Sequence, residues 1–277
     1  MTKQALAVLE DALRARKLDR TLTSAMPPGK GDGQVAPAEL SELDASLQGG
    51  LPRGQLSELV GPPSSGRTTL LLQMLAAATR RGEIVALVDT FDRLDLASAV
   101  AAGVDLDRLL WIRGHAISEA RNTGDQSRGS AGISRGGAPW LVDRTIDRAL
   151  KALNLVLQAG GFGVVAIDLA DASPATLHRL PYTTWLRVQR TVEGSETACV
   201  LVAPQPLGRS AHGLTLILDS RTQWAGQPTD TGLNGSGTAV GVSSRSDRLA
   251  GLDVTVRVVS PRRRVDGDVM IAATASQ

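Results

Sequence analysis

The chain has 277 residues, of which 42% are apolar and 21% charged, with a formal net charge of +2. That composition is ordinary for a globular protein and leaves room for one large α/β domain, or one domain with tails. It excludes a disulfide framework, because Cys199 is the single cysteine. Cys199 lies in the apolar run 198–203 and is expected to be a buried, inert thiol. His115, His178 and His212 lie too far apart for a zinc site. No apolar run approaches the ~18 residues that a membrane span needs. Lys3, Glu10 and Asp11 interrupt the N-terminal apolar residues, so the segment does not read as a signal peptide, and a cytoplasmic protein is expected. Aromatic residues are only 3%, so the core must be built from Leu, Val, Ile and Ala.

In chain order, residues 2–19 read as an amphipathic helix, with Ala5, Leu6, Leu9 and Leu13 on one face. Residues 20–40 are rich in Pro and Gly and read as a linker. The helix is thus set to dock on another subunit or to pack on its own domain. The body is expected from about Ser41 to the C-terminus. Its strands fall at 55–60, 84–89, 109–112, 163–168, 198–203, 214–218 and 252–259. Its helices fall at 68–80, 93–103, 141–158 and 173–192. Near-continuous apolar runs such as 84–89 and 163–168 are typical of strands buried on both faces. This alternation predicts an α/β fold with a mostly parallel twisted sheet flanked by helices. Two Gly- and Ser-rich stretches, 119–139 and 222–248, read as flexible loops on that domain.

The strongest motif is Gly61-Pro62-Pro63-Ser64-Ser65-Gly66-Arg67-Thr68-Thr69. It follows a strand and opens a helix, the context of a phosphate-cradling loop. The glycines allow tight turns that aim backbone N–H groups at phosphate oxygens, and the helix N-terminus adds partial positive charge. Gly61, Ser64, Ser65, Gly66, Arg67, Thr68 and Thr69 are therefore the nucleotide-binding candidates. Thr68 is placed to offer its hydroxyl to Mg²⁺, with Asp168 on a neighbouring strand end as its second anchor. ATP and Mg²⁺ are the cofactors this implies. Arg67 stands where the motif has lysine. Lysine meets phosphate as a compact point charge, whereas arginine is a planar fork. Arg67 can hold a nucleotide, or its guanidinium can fill the phosphate space itself. Hydrolysis also needs a group that orients water. Asp89 and Asp92 are candidates by position.

Leu43-Asp44 and Gly49-Gly50-Leu51-Pro52-Arg53-Gly54 precede the phosphate loop, and Gly103-Val104-Asp105-Leu106-Asp107-Arg108-Leu109-Leu110 follows it. Through these segments the chain resembles the RecA-like superfamily, best over residues 40–115. The resemblance implies a P-loop ATPase core and makes Gln205, after Ala203-Pro204, the counterpart of a nucleotide-sensing glutamine. It implies that Arg262, Arg263 and Arg264 contact the phosphate of a nucleotide or of DNA, against the alternative of a solvated turn. RecA-like enzymes keep a catalytic glutamate two residues after the strand-end aspartate. Here that position is Phe91, which cannot polarise water. With Arg67, two catalytic parts are changed together, which points to weak or absent ATP hydrolysis. The loops after the magnesium-site strand and after Gln205 look shortened, so DNA binding is expected to be weak or indirect.

A RecA-like body with altered catalysis and trimmed loops is similar in character to the ImuA branch. Proteins of that branch act beside an error-prone polymerase during translesion synthesis in the SOS response. The reading is thus an accessory protein of DNA damage tolerance, partnered by translesion polymerase subunits or RecA, with self-association through the N-terminal helix and nucleoid association when acting. An ATP-dependent recombinase or recombination mediator, and a regulator of RecA filaments, are the alternatives.

Overall fold

The computed structural model describes residues 35–114, 139–208, 213–224, 249–259 and 268–274. The expected helix at 2–19, most of both Gly- and Ser-rich stretches, and Arg262, Arg263 and Arg264 lie outside the described residues. The residues from Val35 onward form one compact unit.

A two-stranded antiparallel pair opens that unit: β1 (Val35–Ala36) against β2 (Leu51–Pro52), with helix α1 (Ser41–Ser46) between them. The main sheet has eight strands. They are β3 (Gln55–Val60), β4 (Val85–Asp89), β5 (Leu109–Arg113), β6 (Val164–Asp168), β7 (Ala198–Ala203), β8 (Thr215–Trp224), β9 (Leu249–Val259) and β10 (Asp268–Thr274). Their order across the sheet is β10-β9-β8-β3-β7-β6-β4-β5. The six from β8 to β5 run parallel, and β9 and β10 extend the sheet antiparallel. The helices are α2 (Arg67–Arg80), α3 (Leu96–Ala101), α4 (Pro139–Ala159), α5 (Pro174–His178) and α6 (Tyr182–Val192).

The central strands are mostly apolar because both faces are covered, and the period of two sorts their side chains into two cores. Val85, Leu87, Val164, Ala166, Val200 and Val202 face the α2 side with Leu71 and Leu75. Ala86, Val88, Val165, Ile167, Cys199 and Leu201 face the side of α4 and α6, with Ile146, Leu153 and Trp185. Cys199 is fully buried and burial pushes its thiol up to about 12, so the expected inert thiol is found.

The α/β architecture matches the sequence reading. Three differences have physical causes. The single helix expected at 173–192 is two helices, because Pro181 cannot donate to a continuing ladder and holds an extended ψ of 138°. Ser173 caps the first of them, accepting from the Thr176 amide at 3.2 Å. The helix expected at 93–103 begins only at Leu96. Asp95 caps it through Ser98, and the residues before it are spent on a turn around Asp89. The strand expected at 214–218 runs on to Trp224, supported by its antiparallel partner β9. Helix α1, the β1–β2 pair and β10 were not anticipated. Each is short or flanked by Gly and Pro, and the stretch 35–40, read as linker, places Ala36 and Ala38 in the core.

Candidate phosphate-binding site

Parallel strands deliver their C-terminal ends to one edge of the sheet, and open α/β sheets build their sites there. Here β3 ends at Val60, directly before Gly61. The registers place Val60 beside Ala203, Val202 beside Asp168, and Asp168 beside Asp89. A cleft at this edge is lined by residues of the phosphate loop (Pro63, Ser64, Arg67, Thr68) and of the loops after β4 and β6. The latter supply Asp89, Phe91, Arg93, Asp168, Ala170 and Asp171.

The two glycines of the loop are required by geometry. A Cβ on Gly61 would lie 2.4 Å from the Leu218 carbonyl oxygen and 2.5 Å from Ser65 Oγ. Gly66 has φ +87°, and a Cβ there would meet Val254 Cγ2 at 2.7 Å. The backing is thus β8 and β9, which also fix the loop from outside: Ser220 Oγ donates to the Ser64 carbonyl at 2.6 Å. Gly66 then opens α2, a helix of 14 residues whose first two residues, Arg67 and Thr68, line the cleft.

The side chains of the loop divide. Ser64 and Thr68 line the cleft and are exposed. Thr69 is exposed but does not line it. Ser65 is buried, and its Oγ has no hydrogen-bond partner. Arg67 is 7% exposed, and its Nη1 has no partner either. Burial lowers the affinity of the Arg67 guanidinium for its proton, opposed by the charges of Asp168 and Asp171. Two orphaned buried polar atoms beside a helix N-terminus suit an incoming anion, since an unmet buried donor costs ~1–3 kcal/mol until a partner arrives. The loop therefore fits a phosphate group.

The acids are less available. Asp168 Oδ1 accepts from the Ala170 amide at 2.8 Å. Burial, then the charges of Asp89 and Asp171, push Asp168 up to about 6. Asp89 is committed to structure: Oδ1 accepts from Arg93 N at 2.8 Å, and Oδ2 from Leu94 N at 2.9 Å and Trp111 Nε1 at 3.1 Å. Asp92 holds Arg113 in a fork, both contacts 2.8 Å, while that guanidinium stacks on Trp111. Asp171 pairs with Arg93 at 2.7 Å. So neither aspartate considered for water activation is spare. For a magnesium ion the cleft offers the Thr68 hydroxyl and the second oxygen of Asp168. Among the described residues no group of three His, Cys, Asp or Glu side chains could hold a metal ion. A divalent ion held mainly by phosphate oxygens and water needs only one or two protein oxygens, so the donor set fits phosphate and a phosphate-bound magnesium ion.

Phe91 is 6% exposed and packs into the core on the α4 side, with its edge on the cleft. Gln205 does not line the cleft. Its amide nitrogen lies 2.9 Å from His178 Nε2, at the end of α5. Sequence reasoning missed Arg93 and Asp171, whose only signal was their place just after strand-end aspartates. It also missed Glu58, a lone acid in an apolar strand and 1% exposed. Glu58 Oε1 accepts from the Leu207 and Gly208 amides at 2.8 and 2.6 Å, and Oε2 from Thr215 Oγ1 at 3.1 Å. It fastens the segment after Gln205 to the strand that feeds the phosphate loop.

Comparisons with known proteins bear on the same region. Residues 31–130 match the model of the RecA N-terminal domain. The chain is 44% identical over 91 residues to protein RecA of Nostoc punctiforme, covering 33% of this chain and 25% of that one. It is 43% identical over 146 residues to protein RecA of Borrelia hermsii, covering 53% of this chain and 33% of that one. The matched segment is thus a third or less of those curated relatives. A crystal structure of the RadB recombinase aligns with 86% of this chain and 94% of its own, at 17% identity and a TM-score of 0.49. The sequence matches, carried by the segment around the phosphate loop, support placing this chain in the RecA-like recombinase superfamily.

Proposed function

We propose that this protein is a RecA-like accessory factor of DNA damage tolerance, of the ImuA type. It binds nucleotide on its phosphate loop, hydrolyses ATP weakly or not at all, and works through protein partners. One observation carries the reading: Phe91, at the position where RecA-like enzymes keep a catalytic glutamate, is buried in the core and presents only carbon to the cleft. The neighbouring acids do not compensate, because Asp89 and Asp92 already hold the turn after β4. A loop that binds phosphate beside a wall that cannot activate water suits a ligand-stabilised scaffold better than a motor.

The partners of this reading are translesion polymerase subunits or RecA, with self-association of the chain as a further contact. DNA engagement is secondary, and the setting is the cytoplasm and nucleoid. Steady-state ATP turnover is expected near background, with or without single-stranded DNA. Turnover stimulated by single-stranded DNA and abolished by Asp168→Asn would sink the accessory reading and favour a recombinase or recombination mediator. Pull-down with purified translesion polymerase subunits and with RecA assigns the partner. Capture of RecA alone would make the protein a regulator of RecA filaments.

A further inference from the structure

The part of the cleft lining that lies outside the phosphate loop is acidic. The loops after β4 and β6 bring Asp89, Asp168 and Asp171 to it, and Arg93 is the single cation they supply among the lining residues. Arg93 Nε lies 2.7 Å from Asp171 Oδ2, so this pair ties the loop after β4 to the loop after β6. The two side chains are 49% and 48% exposed. A pair so open to water contributes little to stability, because solvent screens it and both side chains lose freedom in making it. Folding alone therefore gives little reason for an arginine here. The backbone beneath it is nonetheless held firmly. Arg93 N donates to Asp89 Oδ1 at 2.8 Å. Asp92, just before it, takes φ +55° while its carboxylate grips Arg113. A non-glycine residue in the left-handed region is costly and persists where its neighbours over-determine it. The turn thus fixes the root of Arg93 and leaves its tip half in water.

We infer, on the reading above that the phosphate loop holds nucleotide, that Arg93 distinguishes a nucleoside triphosphate from a diphosphate, exchanging Asp171 for the terminal phosphate when the triphosphate binds. A phosphate loop cradles the inner phosphates with its backbone amides, so the third phosphate is the one left for groups beyond the loop. Of the charged groups that the loops after β4 and β6 place on the cleft, the three carboxylates repel that phosphate and Arg93 attracts it. A guanidinium engages two phosphate oxygens through its planar fork, a stronger contact than one carboxylate in water provides. Asp171, once released, is exposed enough for water to receive it. Phe91 lines the same part of the cleft and presents only carbon, so a terminal phosphate there meets a binding cation beside a residue that cannot act as a base. A diphosphate lacks the group that reaches Arg93 and leaves the pair with Asp171 intact. Occupancy of the cleft would then report which nucleotide is present without consuming it.

The test is calorimetric titration of the full chain with ATP and with ADP, both in magnesium. The natural protein is expected to bind ATP at least about tenfold more tightly than ADP. Arg93→Gln should bring the two affinities within about threefold of each other through loss of ATP affinity, with ADP affinity and the melting temperature in buffer nearly unchanged. Asp171→Asn removes the resting partner and should raise the preference for ATP, an effect that disappears when it is combined with Arg93→Gln. Three results would each overturn this inference and leave the nucleotide reading standing: equal affinities in the natural protein, a preference that survives Arg93→Gln, or an equal loss of both nucleotides in that variant. Absence of binding by both nucleotides to the natural protein would overturn the two together.

Discussion

The phosphate loop and the turn after β4 face each other across one cleft, yet they are built on opposite principles. In the phosphate loop the backbone is constrained and the polar atoms are idle. Gly61 and Gly66 have no room for a Cβ, while Ser65 Oγ and Arg67 Nη1 lack partners. In the turn after β4 the carboxylates are employed, although Thr90 Oγ1 has no partner. Asp89 takes three donors, Asp92 takes a fork from Arg113, and Phe91 fills the core beneath them. Idle polar groups on a rigid frame are poised for a ligand. Saturated ones are architecture. The comparison teaches that one cleft can hold a phosphate loop with unmet polar atoms beside a turn whose carboxylates are spent on structure.

The largest expected effect comes from breaking the rigid side. Gly61→Ala places a methyl 2.4 Å from the Leu218 carbonyl, and that backbone belongs to a paired strand and cannot swing aside. Destabilisation of about 3 kcal/mol is expected, read as a lower urea midpoint at unchanged m-value. A neutral result would mean that the loop is slack, and the contrast with the turn after β4 would fail.

The saturated side is tested by Asp89→Ala. That change leaves the Arg93 and Leu94 amides and the Trp111 indole without an acceptor in a site only 2% exposed. About 2 kcal/mol is expected, since water can enter at the cleft and recover part of the loss. If Asp89 instead served ligand binding, the change would weaken ATP binding with little cost in urea, and the two sides would not differ in kind.

The amount of this that could be read from sequence follows from the range of the forces involved. The buried strands were legible because period-two burial on both faces writes itself as near-continuous apolar runs, as in Val85–Asp89 and Ala198–Ala203. The phosphate loop was legible because Gly61 and Gly66 mark a backbone that few residues can adopt. What was hidden depends on partners far along the chain. Glu58 looks like a flaw in a strand until the Leu207 and Gly208 amides, about 150 residues on, are brought to it. Asp89 and Asp92 looked like candidate catalytic groups because a carboxylate in sequence does not announce that Trp111 and Arg113 already hold it. Gln205 fell on a loop near the right edge, but short-range geometry turned its amide to His178 and away from the cleft.

The smallest effect sharpens the comparison at the boundary between its two sides, where Asp168 stands. Burial raises its carboxyl to about 6, above the ordinary 3.8. The native state therefore holds the proton more tightly than the unfolded chain does, and ionisation costs stability. The cost is absent below about pH 4, grows as pH rises towards 6, and is complete above that. Asp168 is only partly shielded from solvent, so screening reduces the full linkage value to about 1–2 kcal/mol. Urea unfolding of the natural protein and of Asp168→Asn at a series of pH values isolates this term, because the amide cannot titrate. The natural protein should lose stability relative to the variant between pH 4 and about 6.5 and run parallel to it above. A flat difference across that window would show that Asp168 is charged and well compensated throughout. In that case the carboxylate would belong with the saturated groups of the turn after β4, and Arg67 would be the only idle charge in the cleft among the described residues.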